Sequence, residues 1–252
     1  MYLKTEGIVL REVPINEADK LLDILTKERG LVTAKARGVR RERSPIKAAC
    51  QLLTYSEFTL FEYREKLTVQ EAEPLEQFRE LRGELERFAL GSYFAQVTSS
   101  IAQEDAPNAE LLSLLCNALY ALGRLGRPPL LVKAVFELRA MRLAGFEPEL
   151  QACPVCGSET PDRFDLLQGQ VFCAGCQDAG NAGIRMPITP AMLQAMRYIC
   201  WCEPKRLFSF RLEEDSIRAL SSLTEAYLMT QLEQSFSTLD FYKSLLEYGE
   251  SL

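Results

Sequence analysis

The 252-residue sequence contains no histidine and only one tryptophan. The lack of histidine excludes a Ser-His-Asp triad, a Cys-His protease pair and a catalytic zinc held by imidazoles, because each needs that ring as base or ligand. No glycine-rich phosphate-binding fingerprint occurs either. The acidic residues Glu17, Asp19 and Asp23 have no partner cluster, so we expect solvated side chains rather than catalytic ones. These absences predict a protein that is not an enzyme.

Long apolar runs are also missing. The longest strongly apolar stretch without a charge, residues 111–123, is shorter than the roughly 18–20 residues of a membrane span. Lys4, Glu6 and Arg11 lie where the apolar core of a secretory signal would be, so no signal and no membrane association are expected. We therefore expect a soluble cytoplasmic protein, in a compartment where paired cysteines favour metal binding over disulfides.

Positive charge is in deficit over the whole chain, since 29 Lys and Arg residues face 35 Asp and Glu residues and the net charge is -6. With 47% hydrophobic and 25% charged residues, the composition is typical of a folded globular protein of one to three domains. The overall charge does not favour nucleic-acid binding, so any anion site must be a local patch.

One segment departs from that balance. Between Arg29 and Lys47, seven cationic residues oppose only Glu42, which gives this segment a net charge of +6. Within the predicted strand 31–37, alternation places Thr33, Lys35 and Arg37 on the face opposite the small apolar residues. We expect a basic strand face that continues into a flexible basic loop.

Cations at regular intervals on a sheet follow a phosphate backbone and release its counterions on binding. The predicted DNA-binding residues are Lys35, Arg37, Arg40, Arg41, Arg43 and Lys47. The alternative is an edge strand that Lys and Arg merely guard against pairing. On a later strand Tyr55, Phe61 and Tyr63 either stack on bases or pack in the barrel, and the sequence leaves both open.

Four of the eight cysteines form two C-x2-C pairs separated by sixteen residues, 157–172, which is the spacing of a zinc ribbon. The predicted ligands are Cys153, Cys156, Cys173 and Cys176. Four thiolates leave no open position, so we expect one structural Zn²⁺, with iron excluded only weakly by the spacing. In this segment two cations face four carboxylates (Arg163 and Arg185; Glu159, Asp162, Asp165 and Asp178), which favours a scaffold role. The remaining cysteines, Cys50, Cys116, Cys200 and Cys202, have no such pairing.

Hydrophobic periodicity indicates the architecture. Five short segments rich in β-branched and aromatic residues predict strands: 7–10, 20–26, 31–37, 52–63 and 67–70. Five short strands in about seventy residues predict a small barrel or a five-stranded sheet. From residue 76 onward helical spacing predicts a bundle, which the cysteine segment interrupts and which resumes at Thr189 and Pro190. The predicted fold class is α+β, in four segments: β-structure over 1–80, helices over 81–149, a zinc ribbon over 150–186 and helices over 187–252.

The order of these features resembles that of the bacterial RecO family of recombination mediators. The resemblance covers roughly residues 1–190. It rests on the segments 5–10 (TEGIVL), 16–20 (NEADK), 26–41 (TKERGLVTAKARGVRR), 136–139 (FELR), 145–148 (GFEP) and 153–157 (CPVCG). It implies that the barrel is an OB-fold that binds single- and double-stranded DNA, and that the protein anneals complementary strands and is associated with the nucleoid.

The resemblance also implies partners. These are RecR, the acidic carboxy-terminal tail of single-strand-binding protein, and the recombinase RecA, which the family helps to load onto DNA coated by single-strand-binding protein. For the acidic tail, Lys133, Arg139 and Arg142 on one helix are candidate contacts, and the alternative is that they form a solvated helix face. The alternative function is a zinc-ribbon adaptor that works through protein–protein contacts, without direct DNA binding.

Overall fold

The computed structural model describes residues 1–176 and 183–249. Its strands are β1 (Tyr2–Pro14), β2 (Lys20–Thr26), β3 (Gly30–Ala36), β4 (Tyr55–Tyr63), β5 (Lys66–Glu76), β6 (Arg163–Asp165), β7 (Gln170–Phe172) and β8 (Arg185–Pro187). Its helices are α1 (Arg79–Arg82), α2 (Leu85–Ile101), α3 (Ala109–Gly123), α4 (Pro129–Leu143), α5 (Pro190–Trp201), α6 (Glu214–Leu232) and α7 (Ser237–Gly249), with a 3-10 turn at Pro204–Arg206. Asp178, which was counted among the carboxylates of the cysteine segment, lies outside the described residues.

The chain folds as two compact units. Met1–Leu125 and the described part of Phe236–Leu252 form the first, and Gly126–Ser235 forms the second. The four segments predicted above divide the chain differently and stay a prediction. Within the described ranges, no helix has the length and apolar character that a bilayer span requires.

The first five strands close into a barrel in the order β1-β2-β3-β5-β4, in which β1 pairs with both β2 and β4. Every pairing is antiparallel except that of β3 with β5, which runs in parallel from Ala34 opposite Leu67 to Ala36 opposite Val69. This strand order is that of an OB-fold. The predicted α+β class, with an amino-terminal five-stranded barrel, later helices and a four-cysteine segment among them, is confirmed.

The predicted alternation of β3 is present, because Val32, Ala34 and Ala36 lie in the barrel core while Thr33 is exposed and Lys35 is half-buried. Strands β1 and β5 are longer than predicted. Their additional residues place charged side chains outward, so they lack the apolar pattern by which a strand is recognised in sequence.

The segment between β3 and β4 is not the flexible loop that the sequence predicted. It is a series of tight turns, in which the N–H of Arg41 donates to the carbonyl of Gly38 at 3.1 Å and that of Ser44 to the carbonyl of Arg41 at 3.2 Å. Val39, Ile46 and Cys50 from this segment pack in the barrel core. Burial of these apolar side chains removes them from water and fixes the backbone that carries the basic residues.

Helices α1, α2, α3 and α7 complete the first unit. The loop from α2 to α3 contacts the tip of the β2–β3 hairpin, where the N–H of Leu31 donates to the carbonyl of Gln103 at 3.0 Å. Gly30 at this tip has a φ of +65°, and a Cβ there would lie 2.0 Å from the Gln103 oxygen. Only glycine fits at this close approach.

In the second unit α4 packs against α5 and α6. Thr189 caps α5 by accepting the N–H of Met192 at 3.2 Å, and Pro190 follows at the first helical position, as the sequence predicted. Strands β7, β6 and β8 form a small sheet in that order, in the part of the chain that contains the four paired cysteines.

Candidate nucleic-acid interface and metal centre

The six predicted DNA-binding residues lie on the outer face of β3 and on the packed turns that follow it. Lys35 is half-buried, and the other five are exposed: Arg37, Arg40, Arg41, Arg43 and Lys47. Because the turns are anchored in the core, these cations project from a defined backbone. The arrangement is therefore a structured basic surface, which we call the basic segment (residues 35–47).

The basic segment contains cations of two kinds. The ammonium of Lys35 lies 2.9 Å from the carboxylate of Asp19, and the guanidinium of Arg40 donates to the carbonyl of Asn16 at 2.5 Å. In the part of the chain that the structure describes, no carboxylate lies within ion-pairing distance of the other four: Arg37, Arg41, Arg43 and Lys47. These four offer their full charge to an external anion. Arg29, which precedes the basic segment, is paired with Glu62 and Asp105 at 3.0 and 3.2 Å.

The turn before β2 holds the start of the basic segment in place. Asp19 accepts the N–H of Gly38 at 2.8 Å, and the N–H of Arg40 donates to the carbonyl of Ala18 at 3.0 Å. The Gly38 N–H, followed by the Lys35 ammonium and the Asn16 amide, lowers the pKa of the Asp19 carboxyl well below its usual range. Asp19 was predicted to be merely solvated, so sequence reasoning missed this role. The only signal in the sequence was position: Asp19 directly precedes the predicted strand 20–26, and in a hairpin with the strand 31–37 this is the end at which the basic loop begins.

Carboxylates occupy a different part of the outer barrel surface. Glu6 on β1 lies opposite Glu57 on β4, and Glu57 lies opposite Glu73 on β5, with Lys4 bridging to Glu57 at 2.8 Å. Like charges directly opposite each other on a sheet are unfavourable. This row of carboxylates repels phosphate groups, so this part of the barrel surface is unfavourable for a phosphate backbone.

Tyr55, Phe61 and Tyr63 of β4 lie on the outer face of the barrel, because the residues that alternate with them, among them Phe58 and Leu60, fill the core. Tyr55 donates its hydroxyl to Glu6 at 2.6 Å. Burial, and then this hydrogen bond, raises the pKa of Tyr55. The Phe61 ring lies 5.1 Å from the ring of Tyr2, and Tyr63 is 59% exposed beneath the Arg64 guanidinium. Of the two possibilities left open by the sequence, packing inside the barrel is thus excluded.

The four predicted metal ligands come together. Their Sγ atoms all lie within 4.8 Å of one another, and those of Cys156 and Cys173 are 3.6 Å apart. A tetrahedral site with Zn–S bonds of about 2.3 Å needs S···S separations of about 3.8 Å. The donor set and its spacing therefore fit a zinc ion. Among the residues described, no other group of three or more such side chains is close enough to hold a metal.

Two turns present these thiols. The N–H of Gly157 donates to the carbonyl of Cys153 at 2.8 Å, and that of Cys176 to the carbonyl of Cys173 at 2.9 Å. The φ of Gly157 is +73°, a conformation that favours glycine. Burial opposes ionisation of the Cys153 thiol, but the backbone N–H groups around it outweigh burial and lower its pKa to about 6.

Comparison with known families decides the identity. Two sequence models, described as Recombination protein O N terminal and Recombination protein O C terminal, match residues 1–78 and 82–240. The chain belongs to the RecO family. It is 34% identical to the DNA repair protein RecO of Acetivibrio thermocellus, with 97% of both chains covered. It is 31% identical to that of Symbiobacterium thermophilum over 95% of this chain and 96% of the relative, and 32% identical to that of Desulforudis audaxviator over 96% of both.

RecO membership confirms the resemblance seen in the sequence and makes this a protein of DNA repair. The matched regions include the barrel with its basic segment and the four cysteines. The family assignment rests on both units, because the second match extends through α6 to residue 240.

The three residues predicted to contact an acidic tail, Lys133, Arg139 and Arg142, already have partners within the second unit. Lys133 is 2% exposed and pairs with Glu137 and Glu225, both at 2.9 Å. Arg139 is buried and donates to the carbonyl of Ile199 at 3.0 Å, and both Arg139 and Arg142 donate to that of Cys200. The positive charges of these side chains already interact with carboxylates and with carbonyl groups at the C-terminal end of α5. The suggestion that Lys133 and Arg139 receive an acidic peptide is therefore wrong. Arg142 is half-buried and pairs with Glu147 at 3.1 Å, and its part in such a contact stays a prediction.

Proposed function

We propose that this RecO-family protein is a non-catalytic DNA-binding mediator of recombination, which acts at the nucleoid in the cytoplasm. It anneals complementary strands and, with RecR, helps to load RecA onto DNA coated by single-strand-binding protein. The observation that carries the proposal is a set of four cations, Arg37, Arg41, Arg43 and Lys47, whose side chains have neither a carboxylate nor a carbonyl partner among the described residues. They lie on a structured part of the barrel, apart from the acidic row.

The mechanism is electrostatic. The free cations replace the counterions of phosphates, whose release drives binding of single and double strands alike, without regard to base sequence. Two complementary strands repel each other through their phosphates, and a surface that neutralises one strand lowers this repulsion. Annealing then needs no covalent chemistry, which agrees with a chain that lacks histidine.

The four cysteines would hold one Zn²⁺, which supplies a fixed link between the turn at residues 153–157 and that at residues 173–176. Because four thiolates close its coordination sphere, the ion has a structural role in this proposal. The chain itself orients the thiols through the two turns and through strands β6 and β7.

A charge-reversal variant tests the proposal. We expect Arg37→Glu, Arg41→Glu and Arg43→Glu together to abolish binding of a labelled oligonucleotide in fluorescence anisotropy, while circular dichroism stays unchanged. The matched control reverses three exposed cations of the second unit, Lys205, Arg206 and Arg211. The control is expected to retain salt-dependent binding. Unchanged affinity of the first variant, or equal loss in both, contradicts the proposal.

A zinc-ribbon adaptor without direct DNA binding is a second candidate. It is favoured by apolar side chains exposed on the cysteine segment, where Val155, Leu167 and Ile184 are 50%, 55% and 63% exposed. Exposed apolar groups are typical of protein–protein contacts. An adaptor predicts no salt-dependent binding to a bare oligonucleotide, so the same titration separates the two functions.

A further inference from the structure

A row of outward side chains crosses four strands of the barrel. Tyr2 on β1 lies opposite Phe61 on β4, Phe61 lies opposite Thr68 on β5, and Thr68 lies opposite Lys35 on β3. The row therefore joins an aromatic pair to the first residue of the basic segment. Neighbouring strands are about 5 Å apart, so Phe61 lies about 10 Å along the surface from Lys35.

The aromatic end of this row is open to solvent. Tyr2 is 67% exposed and Tyr63, on the same face of β4, is 59% exposed. Tyrosine and phenylalanine rings on an outer strand face leave apolar area in water, which the fold does not require. We call Tyr2, Phe61 and Tyr63 the aromatic strip.

Cations lie on both sides of the aromatic strip. Lys66 is directly opposite Tyr63, and the Arg64 guanidinium is 5.2 Å from the Tyr63 ring. Lys35 and the basic segment lie on the other side, across Thr68. The row of Glu6, Glu57 and Glu73 lies further along β4. Between it and Phe61 lies a row in which Thr59 is opposite Lys4 on β1 and Glu71 on β5, so that one cation and one carboxylate balance each other. A polyanion on this face is thus directed over the aromatic rings and away from the carboxylates.

We propose that the aromatic strip is a base-stacking platform, and that the substrate of this surface is a single strand whose bases are unpaired. The proposal rests on the function proposed above, because the basic segment must hold the phosphates. Every base has a π-face, so stacking on the rings is indifferent to sequence. The bases of a duplex are stacked on one another, so the strip adds affinity only for single strands.

Three labelled probes of equal length test this in anisotropy titrations of the full chain: a single-stranded oligonucleotide, the same backbone with abasic sites, and a duplex. We expect the wild-type protein to bind the abasic strand more weakly than the strand with bases. Phe61→Leu combined with Tyr2→Leu is expected to weaken single-strand binding by about 5–150-fold, the range of one base–aromatic stack. Abasic and duplex binding should be unchanged, as should the dependence of each on salt.

Two further variants control for the fold. Tyr63→Leu replaces an exposed ring, and it tests the aromatic strip if the double variant does not fold. Tyr55→Leu removes a ring of the same strand face that is engaged with Glu6 and lies outside the strip, so its effect should be equal on all three probes.

The three probes distinguish loss of base stacking from loss of phosphate binding. Equal wild-type affinity for abasic and base-containing strands overturns the stacking platform but leaves phosphate binding intact. An equal loss on all three probes in the strip variants also overturns it. Absence of salt-dependent binding to every probe overturns the proposed function, and the stacking platform with it.

Discussion

The carboxylate of Asp19 lies 2.9 Å from the ammonium of Lys35 and accepts the N–H of Gly38 at 2.8 Å. One side chain therefore neutralises one cation of the basic segment and also positions the backbone from which the others project. A phosphate that binds Lys35 must compete with Asp19, and this competition can be measured.

Asp19→Asn removes the negative charge but keeps an oxygen that can accept the Gly38 N–H. We expect tighter binding of single strands at low salt, because Lys35 becomes free. The plot of log affinity against log salt should steepen by about 0.7, the increment for one neutralised phosphate on a single strand. An anisotropy salt series measures both.

Asp19→Ala is the comparison, since it removes the charge and the acceptor together. It should not reproduce the tighter binding of Asp19→Asn, because the start of the basic segment loses its anchor. If Asp19→Asn leaves the slope unchanged, Asp19 does not compete with phosphate for Lys35.

Free and paired cations should behave differently when neutralised singly. Arg41→Gln is expected to lower the salt slope by about 0.7, since Arg41 has no carboxylate partner in the described chain. Arg29→Gln should leave the slope unaltered, because its guanidinium is held by Glu62 and Asp105. The same titration series measures both variants. Equal effects would show that pairing within the protein does not decide which cations contact DNA.

Removal of the metal should expose four thiols. We expect purified protein to contain about one zinc, and a chelator to release it together with four thiols that react with a colorimetric reagent. Cys50 and Cys200 should stay unreactive, because burial raises the pKa of each to about 12. Zinc content well below one equivalent in freshly purified protein contradicts the zinc assignment.

Loss of one metal ligand should destabilise the second unit, since site formation and folding are coupled. Cys153→Ser is expected to lower the midpoint of the unfolding transition followed by tryptophan fluorescence. The only tryptophan, Trp201, lies in this unit and donates its indole N–H to Glu147 at 2.9 Å, which makes it the reporter. Cys116→Ser, outside the cluster, is the control.

The buried ion cluster of α4 and α6 should be important for stability but not for DNA binding. Lys133→Met removes the cation beside Glu137, which is 0% exposed, and loss of one partner of a buried pair costs about 3–5 kcal/mol. Denaturant unfolding measures this free energy. Lys133→Met with Glu137→Leu should recover part of it. A single variant as stable as wild type would contradict this role, and a changed salt slope would contradict its independence from DNA binding.

Local patterns accounted for much of the fold and of the candidate site. The two-residue alternation of β3 is visible in Val32, Thr33 and Ala34, because adjacent side chains of a strand face opposite sides. The cysteine pairs are recognisable because a C-x2-C turn is closed within one short stretch of chain. The short helix α1 and the outward-facing ends of β1 and β5 were missed, since no apolar period marks them.

The sequence by itself determined which residues carry charge, which cysteines form C-x2-C pairs and where the strand period changes to the helical one. Each of these features depends only on neighbours along the chain. Only the tertiary structure decided how distant residues meet. The parallel pairing of β3 with β5 aligns Lys35 with Phe61, core packing by Val39 and Ile46 orders the basic segment, and Asp19 reaches Gly38 and Lys35. These relationships arise from barrel closure, which brings together side chains that no local pattern connects.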